Sequence, residues 1–150
     1  MEIIDRLNVI GSSQYLDTDD YCIYVARNPF WADQQTNEVI SKVKNRNAIA
    51  VNMVDAEDYR HFQPKIFKYL IRTIHDKLRA GQTVNLICNK GTSRSGSIAL
   101  LYLAVTGEIG SKSFKQAKSE FLSYYPDYRP TVGIETFLEK TWNMYFHKQQ

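Results

Sequence analysis

The stretch Val84-Asn85-Leu86-Ile87-Cys88-Asn89-Lys90-Gly91-Thr92-Ser93-Arg94-Ser95-Gly96-Ser97-Ile98-Ala99-Leu100-Leu101-Tyr102-Leu103 decides the fold. It opens as a short apolar run after Gly81, the pattern of a buried strand. It closes as a longer apolar run of good helix formers, Ile98 to Val105, the pattern of a buried helix. Between the two lies a compact loop with a thiol, Cys88, at one end and a guanidinium, Arg94, at the other; five residues separate them, with Gly91 at the midpoint. A loop that runs into a helix N-terminus turns its free backbone N–H groups inward and makes an anion cradle. Gly91 lets the backbone approach a bound oxyanion with no Cβ in the way. Arg94 adds a planar fork suited to phosphate oxygens. A free thiol is mostly protonated at neutral pH, and donors, a helix N-terminus and a nearby guanidinium favour the thiolate. A cradle that holds phosphate therefore also activates a nucleophile at its base.

Cys88 to Ser95 resembles the Cys-x5-Arg-Ser signature of the protein tyrosine phosphatase superfamily. The small size and the Ser-Arg-Ser ending are most similar to the dual-specificity phosphatases. The strand–loop–helix setting is the context such a motif requires. A buried, inert Cys at a strand end is a common fate of free cysteine, but it leaves the Gly and the Arg unexplained. The resemblance implies one α/β domain over residues 1–150, with a central, mainly parallel sheet flanked by helices. It implies phosphomonoester hydrolysis through a cysteinyl phosphate, with Cys88 as nucleophile. Arg94 and the loop residues Asn89, Lys90, Gly91, Thr92 and Ser93 would bind the substrate phosphate. Ser95 would supply a hydroxyl that stabilises the thiolate as it leaves the phosphoenzyme. Ser95 also reads as a plain helix cap, Thr92 and Ser93 as loop structure, and Lys90 as facing either substrate or water. One position departs from the pattern. The family usually has His immediately before the nucleophile, where it helps orient the loop and tune the thiolate; here that residue is Ile87.

Thiolate attack on a phosphate ester needs a proton for the leaving oxygen, and a positioned carboxylic acid contributes about 10²–10⁴-fold. In the family an Asp does this from a loop at the end of a strand that precedes the nucleophile. Asp55, Glu57 and Asp58 form an acidic cluster in such a place. Asp55 comes directly after the strand and is the first choice for the acid; Asp58 is the runner-up. The same cluster also reads as a solvated acidic turn before a helix, where negative charge suits the N-terminus.

Composition sets the frame. A chain of 150 residues suffices for one domain and one core. Its apolar and aromatic content argues against disorder. The formal charge of +3 suits an anionic substrate and is too small to argue for nucleic acid by itself. Two cysteines, Cys22 and Cys88, make no disulfide framework. Cys22 reads as a core residue in an apolar strand; a disulfide with oxidised Cys88, a possibility in this superfamily, is the alternative. A reactive thiol needs a reducing compartment, which points to the cytoplasm. The N-terminus has no secretory pattern, and no run is long and apolar enough to span a membrane. His61, His75 and His147 show no metal-ligand spacing, so neither metal nor cofactor is implied.

Outward from the central stretch, Leu7–Gly11, Tyr21–Val25 and Ala48–Val54 read as strands. Asn28-Pro29 breaks the second of them. Thr36, Val39, Ile40 and Val43 recur at helical spacing, which predicts an amphipathic helix over Trp31 to Lys44 and a parallel crossover. Pro64 opens a helix whose apolar face, from Ile66 to Leu78, stops at Gly81. Gly107 and Gly110 end the helix that Arg94 begins. Ser111 or Ser113 caps the next, with Phe114, Ala117, Phe121 and Leu122 inward. A last helix follows Pro130, with Ile134, Phe137, Leu138, Trp142 and Tyr145 inward. Tyr124, Tyr125 and Tyr128 read as packing. By resemblance the expected substrate is a phosphorylated protein, phosphotyrosine with or without phosphoserine and phosphothreonine. Phosphoinositide or RNA 5′-phosphate hydrolysis is possible on the same machinery, and sulfur or arsenate chemistry is a weaker alternative. A different class is a pseudophosphatase that captures phosphorylated partners without turnover; Cys88 and Arg94 argue against it, and Ile87 leaves room for it.

Overall fold

The structure, a computed structural model, describes residues 1–26 and 39–146. The strands are β1 (Glu2–Ile4), β2 (Leu7–Gly11), β3 (Tyr21–Ala26), β4 (Ile40–Lys42), β5 (Ala48–Asn52) and β6 (Val84–Cys88). The helices are α1 (Pro64–Arg79), α2 (Arg94–Val105), α3 (Phe114–Phe121) and α4 (Val132–Thr141), with short 3-10 turns at Tyr59–His61 and Trp142–Tyr145. Among the described residues all six strands form one sheet, in the order β1-β2-β6-β3-β5-β4. The four central strands are mutually parallel, and β1 and β4 run antiparallel at the two edges. This is the α/β architecture expected, with a mainly parallel sheet and flanking helices.

Alternation along each strand sorts the side chains into two layers. Val9, Ile23, Val25, Val51 and Leu86 face the helices in the main core. Cys22, Tyr24, Ala48, Ala50 and Ile87 face the other side, where Ile10, Tyr15 and Leu16 pack on them. Helix α1 is amphipathic, with Phe67, Leu70, Ile71, Ile74 and Leu78 buried at i, i+3, i+4 spacing. Phe67, Leu70 and Ile74 are wholly buried, and each such side chain contributes about 1.5–3 kcal/mol. Pro64 occupies its first turn, and Gly81 beyond it takes φ 85°. Helix α2 is buried from Arg94 to Ala104, so after its polar first turn, from Ile98 on, its sequence is apolar on every side instead of striped. Ser113, not Ser111, caps α3: its hydroxyl accepts from the Gln116 N–H at 3.1 Å. Phe114, Ala117 and Phe121 are buried, but Leu122, expected inward, is exposed, because α3 ends at Phe121 and Leu122 is its C-cap.

The helix expected over Trp31 to Lys44 is overturned where it can be compared. Ile40–Lys42 is an edge strand, antiparallel to β5, with Ile40 opposite Val51. Val39, Ile40 and Val43 are β-branched, and pairing with a central strand outweighs a helical spacing that four residues carry. Asn28, Pro29, Trp31 and Thr36, and also His147, lie outside the described residues. β3 and β5 are nevertheless parallel neighbours, as the crossover required. β1 was not foreseen. It is three residues long and is held by pairing with β2 and by the Met1 amino group, which donates to the Val9 carbonyl at 2.8 Å.

The Cys22–Cys88 disulfide is also excluded in this fold. Cys22 stands opposite Asn85 on the neighbouring strand. Cys88 lies three residues further on, about 10 Å along the strand and on the other face, beyond the roughly 7 Å Cα separation a disulfide spans. Cys22 Sγ instead contacts the Asp20 carbonyl and Asn85 Nδ2, and burial pushes its thiol above the ordinary cysteine range. Because the four central strands are parallel, Gly11, Cys88, Ala26 and Asn52 all end on one edge of the sheet, the edge where open α/β sheets place their ligands.

Candidate active site

β6 delivers Cys88 to that edge with only 3% of its surface exposed. The chain then curls back on itself. Gly91 adopts φ 76°, a conformation other residues take at a cost, and its N–H donates to Cys88 Sγ at 3.2 Å. A donor placed on sulfur stabilises negative charge there. The carbonyls that follow are drawn outward. The Tyr125 hydroxyl donates to the Gly91 carbonyl at 3.1 Å, and the Arg129 N–H donates to that of Thr92 at 2.8 Å. In a planar trans peptide the N–H lies opposite the C=O. Anchoring these two carbonyls therefore turns the N–H groups of Thr92 and Ser93 the other way, the arrangement of an anion-binding nest.

The nest has a tight floor. A Cβ on Gly11 would stand 2.6 Å from the Lys90 carbonyl carbon and oxygen, and the Ser12 N–H next to it donates to the Cys88 carbonyl at 2.9 Å. Gly11→Ala is thus expected to push the loop off β2 and to destabilise the protein by about 1–3 kcal/mol, the usual range for overpacking. A denaturant melt showing no change would mean that the loop has slack.

Arg94 is the first residue of α2 and is 9% exposed. Its Nη1 donates to the Met53 carbonyl at 2.9 Å, just beyond β5. Its Nε is buried and meets no protein acceptor among the described residues, and the same holds for Ser95 Oγ, which is 0% exposed. A buried polar group without a partner costs about 1–3 kcal/mol, and in a native fold such a group calls for a physical reason, a bound ligand among them. An oxyanion between the loop N–H groups and the guanidinium would satisfy Arg94.

Asp55 and Asp58 part company. The Asp55 carboxylate Oδ1 accepts from Ser93 Oγ at 3.2 Å and from Thr131 Oγ1 at 2.6 Å, so this acid is bound to the loop that carries Cys88. The Ser93 hydroxyl in turn accepts the Thr131 N–H at 3.0 Å. Asp58 turns to solvent. It caps the 3-10 turn by accepting the Arg60 N–H and pairs with the Arg60 guanidinium at 2.7 Å. Arg60 holds its carboxyl well below the usual range, at about 2. Asn89 and Lys90 are exposed at the loop's outer turn. Among the described residues no group of three or more His, Cys, Asp and Glu could hold a metal ion, and no helix is long and apolar enough to cross a membrane.

Thr131, Tyr125 and the Met53 carbonyl were not foreseen as parts of this site. Tyr125 and Tyr128 do pack, both edge-on to Phe121, but their hydroxyls also serve the loop and its helix, with Tyr128 2.7 Å from Ser97 Oγ. Thr131 lies 76 residues from the carboxylate it binds, and no local signal pairs them.

No protein-family model matches the chain, and no curated protein matches it either. Solved structures do. Human DUSP28 superposes with a TM-score of 0.64 at 17% identity, covering 95% of this chain and 94% of that one. The human tyrosine phosphatase-like serine/threonine/tyrosine-interacting protein gives 0.62 at 16%, over 84% of this chain and 78% of the other. The Yvh1 phosphatase domain from Chaetomium thermophilum gives 0.59 at 22%, over 83% and 79%. The chain therefore has the compact dual-specificity phosphatase fold.

Proposed function

We propose that this chain, built on the fold of the dual-specificity phosphatases, is a cysteine-dependent phosphomonoester hydrolase that acts on phosphorylated protein. Phosphotyrosine is the first substrate, with or without phosphoserine and phosphothreonine. The observation that carries the reading is the attachment of Asp55 to Ser93, inside the loop that runs from Cys88 to Arg94. It gathers a nucleophile, an oxyanion binder and a carboxylic acid on one cradle. Cys88 thiolate attacks phosphorus, and the bond to the leaving oxygen breaks as Asp55 protonates it. Arg94 and the loop N–H groups carry the charge of the equatorial oxygens. In the second step Asp55 takes a proton from water, which attacks phosphorus and expels the thiolate, with the Ser95 hydroxyl as donor to the departing sulfur. A working thiolate needs a reducing compartment, which the cytoplasm provides.

A second reading, a binding module without turnover, is favoured by Ile87. That side chain is wholly buried on the sheet's far face, opposite Tyr24, and has no polar atom to support the loop. Comparing Asp55→Asn with Asp58→Asn on two substrates tests both readings. A tyrosyl phosphate needs a proton on its leaving oxygen; an activated aryl phosphate hardly does. Asp55→Asn should lose at least about tenfold more rate on the tyrosyl ester and lose the basic limb of the pH–rate profile. Asp58→Asn should leave both nearly unchanged. Should Asp58→Asn show both signatures instead, the acid is Asp58; absence of turnover in the wild type would leave the binding module.

A further inference from the structure

The clamp on Asp55 has a feature that simple tethering does not require. Two helices begin beside it, α2 after Ser93 and α4 after Thr131. Both N-cap residues carry hydroxyls of the kind that ordinarily bond the first turn of their own helix, as Ser113 does for α3. Neither does so here. Both hydroxyls are spent on one carboxylate, and on the same oxygen of it, Oδ1. Their direction is set. The Thr131 N–H occupies Ser93 Oγ as acceptor, which leaves the Ser93 hydroxyl hydrogen for Asp55. The ionised carboxylate only accepts, so the Thr131 hydroxyl must donate as well. Gly133 completes the latch: a Cβ there would overlap the Ala56 carbonyl, so the chain after Asp55 lies directly against the start of α4.

We infer that Thr131, assisted by Ser93, is a positioning residue that selects which oxygen of Asp55 carries the catalytic proton. With two hydroxyl hydrogens on Oδ1, a proton added there would have to turn one of these donors away and lose its bond. Protonation therefore goes to Oδ2, which has no hydrogen-bond partner among the described residues, and the acid is held with that oxygen facing the leaving group's proton demand. The hydroxyls neither give nor take a proton themselves. The inference rests on Asp55 being the acid.

Thr131→Val keeps the shape and removes the donor; Thr131→Ser keeps the donor. On a tyrosyl phosphate Thr131→Val should lower kcat/KM by about tenfold, a share of what acid catalysis supplies, while an activated aryl phosphate is turned over nearly as by wild type. Thr131→Ser should restore the tyrosyl phosphate rate. In an Asp55→Asn background Thr131→Val should cost nothing more, because the two act through one group. Ser93→Ala, which keeps the Thr131 hydroxyl but removes the acceptor of the Thr131 N–H, should show the same selectivity to a smaller degree, so the inference stays testable if the valine variant folds poorly. Equal losses on both substrates, or a further loss in the Asp55→Asn background, overturn it and make Thr131 a structural residue only. If Asp55→Asn shows leaving-group selectivity and neither Thr131→Val nor Ser93→Ala does, the inference falls alone. If Asp55→Asn shows none, the assignment of the acid falls and takes the inference with it.

Discussion

Cys88→Ser is expected to abolish phosphomonoester turnover while leaving phosphorylated ligand bound. Removing a nucleophile that acts in concert with its neighbours costs on the order of 10⁵-fold or more, because a serine hydroxyl at neutral pH is far from ionised and nothing beside it takes its proton. The binding surface survives the change. The loop N–H groups and Arg94 do not depend on sulfur, and the carbonyls of Gly91 and Thr92 stay anchored on Tyr125 and Arg129. The variant should therefore bind a phosphotyrosine peptide by calorimetry with an affinity close to that of the wild type, and it should give no covalent phosphoenzyme on rapid quench. Turnover near the wild-type rate would remove Cys88 from the chemistry.

Arg94→Lys carries the next largest effect. Arg94 divides its guanidinium: Nη1 is committed to the Met53 carbonyl, and the buried Nε has no protein partner among the described residues. A lysine ammonium is a single point charge that cannot hold the carbonyl and face an oxyanion as a planar fork at the same time. Loss of one preorganised donor to a transition-state oxyanion typically costs 10²–10³ in kcat, and about that loss is expected here. Affinity for vanadate, which resembles the five-coordinate transition state, should fall by a similar factor, while affinity for the ground-state phosphopeptide falls less. A circular dichroism spectrum matching the wild type would show that the sheet is intact. Near-normal kcat in this variant would place Arg94 outside the cradle.

The strand, loop and helix from Val84 to Val105 were legible because every signal there is local: an apolar run, a glycine that must take positive φ, and a helix apolar on all sides. The other helices were legible from their periodicity and from punctuation at Pro64, Gly81 and Ser113. The two edge strands were not. β1 and β4 are three residues each, too short for a period to establish itself, and each exists because a neighbouring strand offers it a ladder.

The same division runs through the site. By itself the sequence determined that Cys88 and Arg94 flank one loop with a glycine at its midpoint, and it offered two candidate acids, Asp55 and Asp58. Only the tertiary structure sets those two carboxylates apart. Asp58 finds its partner two residues away in Arg60, whereas Asp55 finds Ser93 and Thr131, 38 and 76 residues away. Contacts between segments so distant are set by how α2 and α4 pack against the end of the sheet. No propensity or spacing within a window of sequence records that packing, because it is a property of surfaces that meet only after the chain has folded.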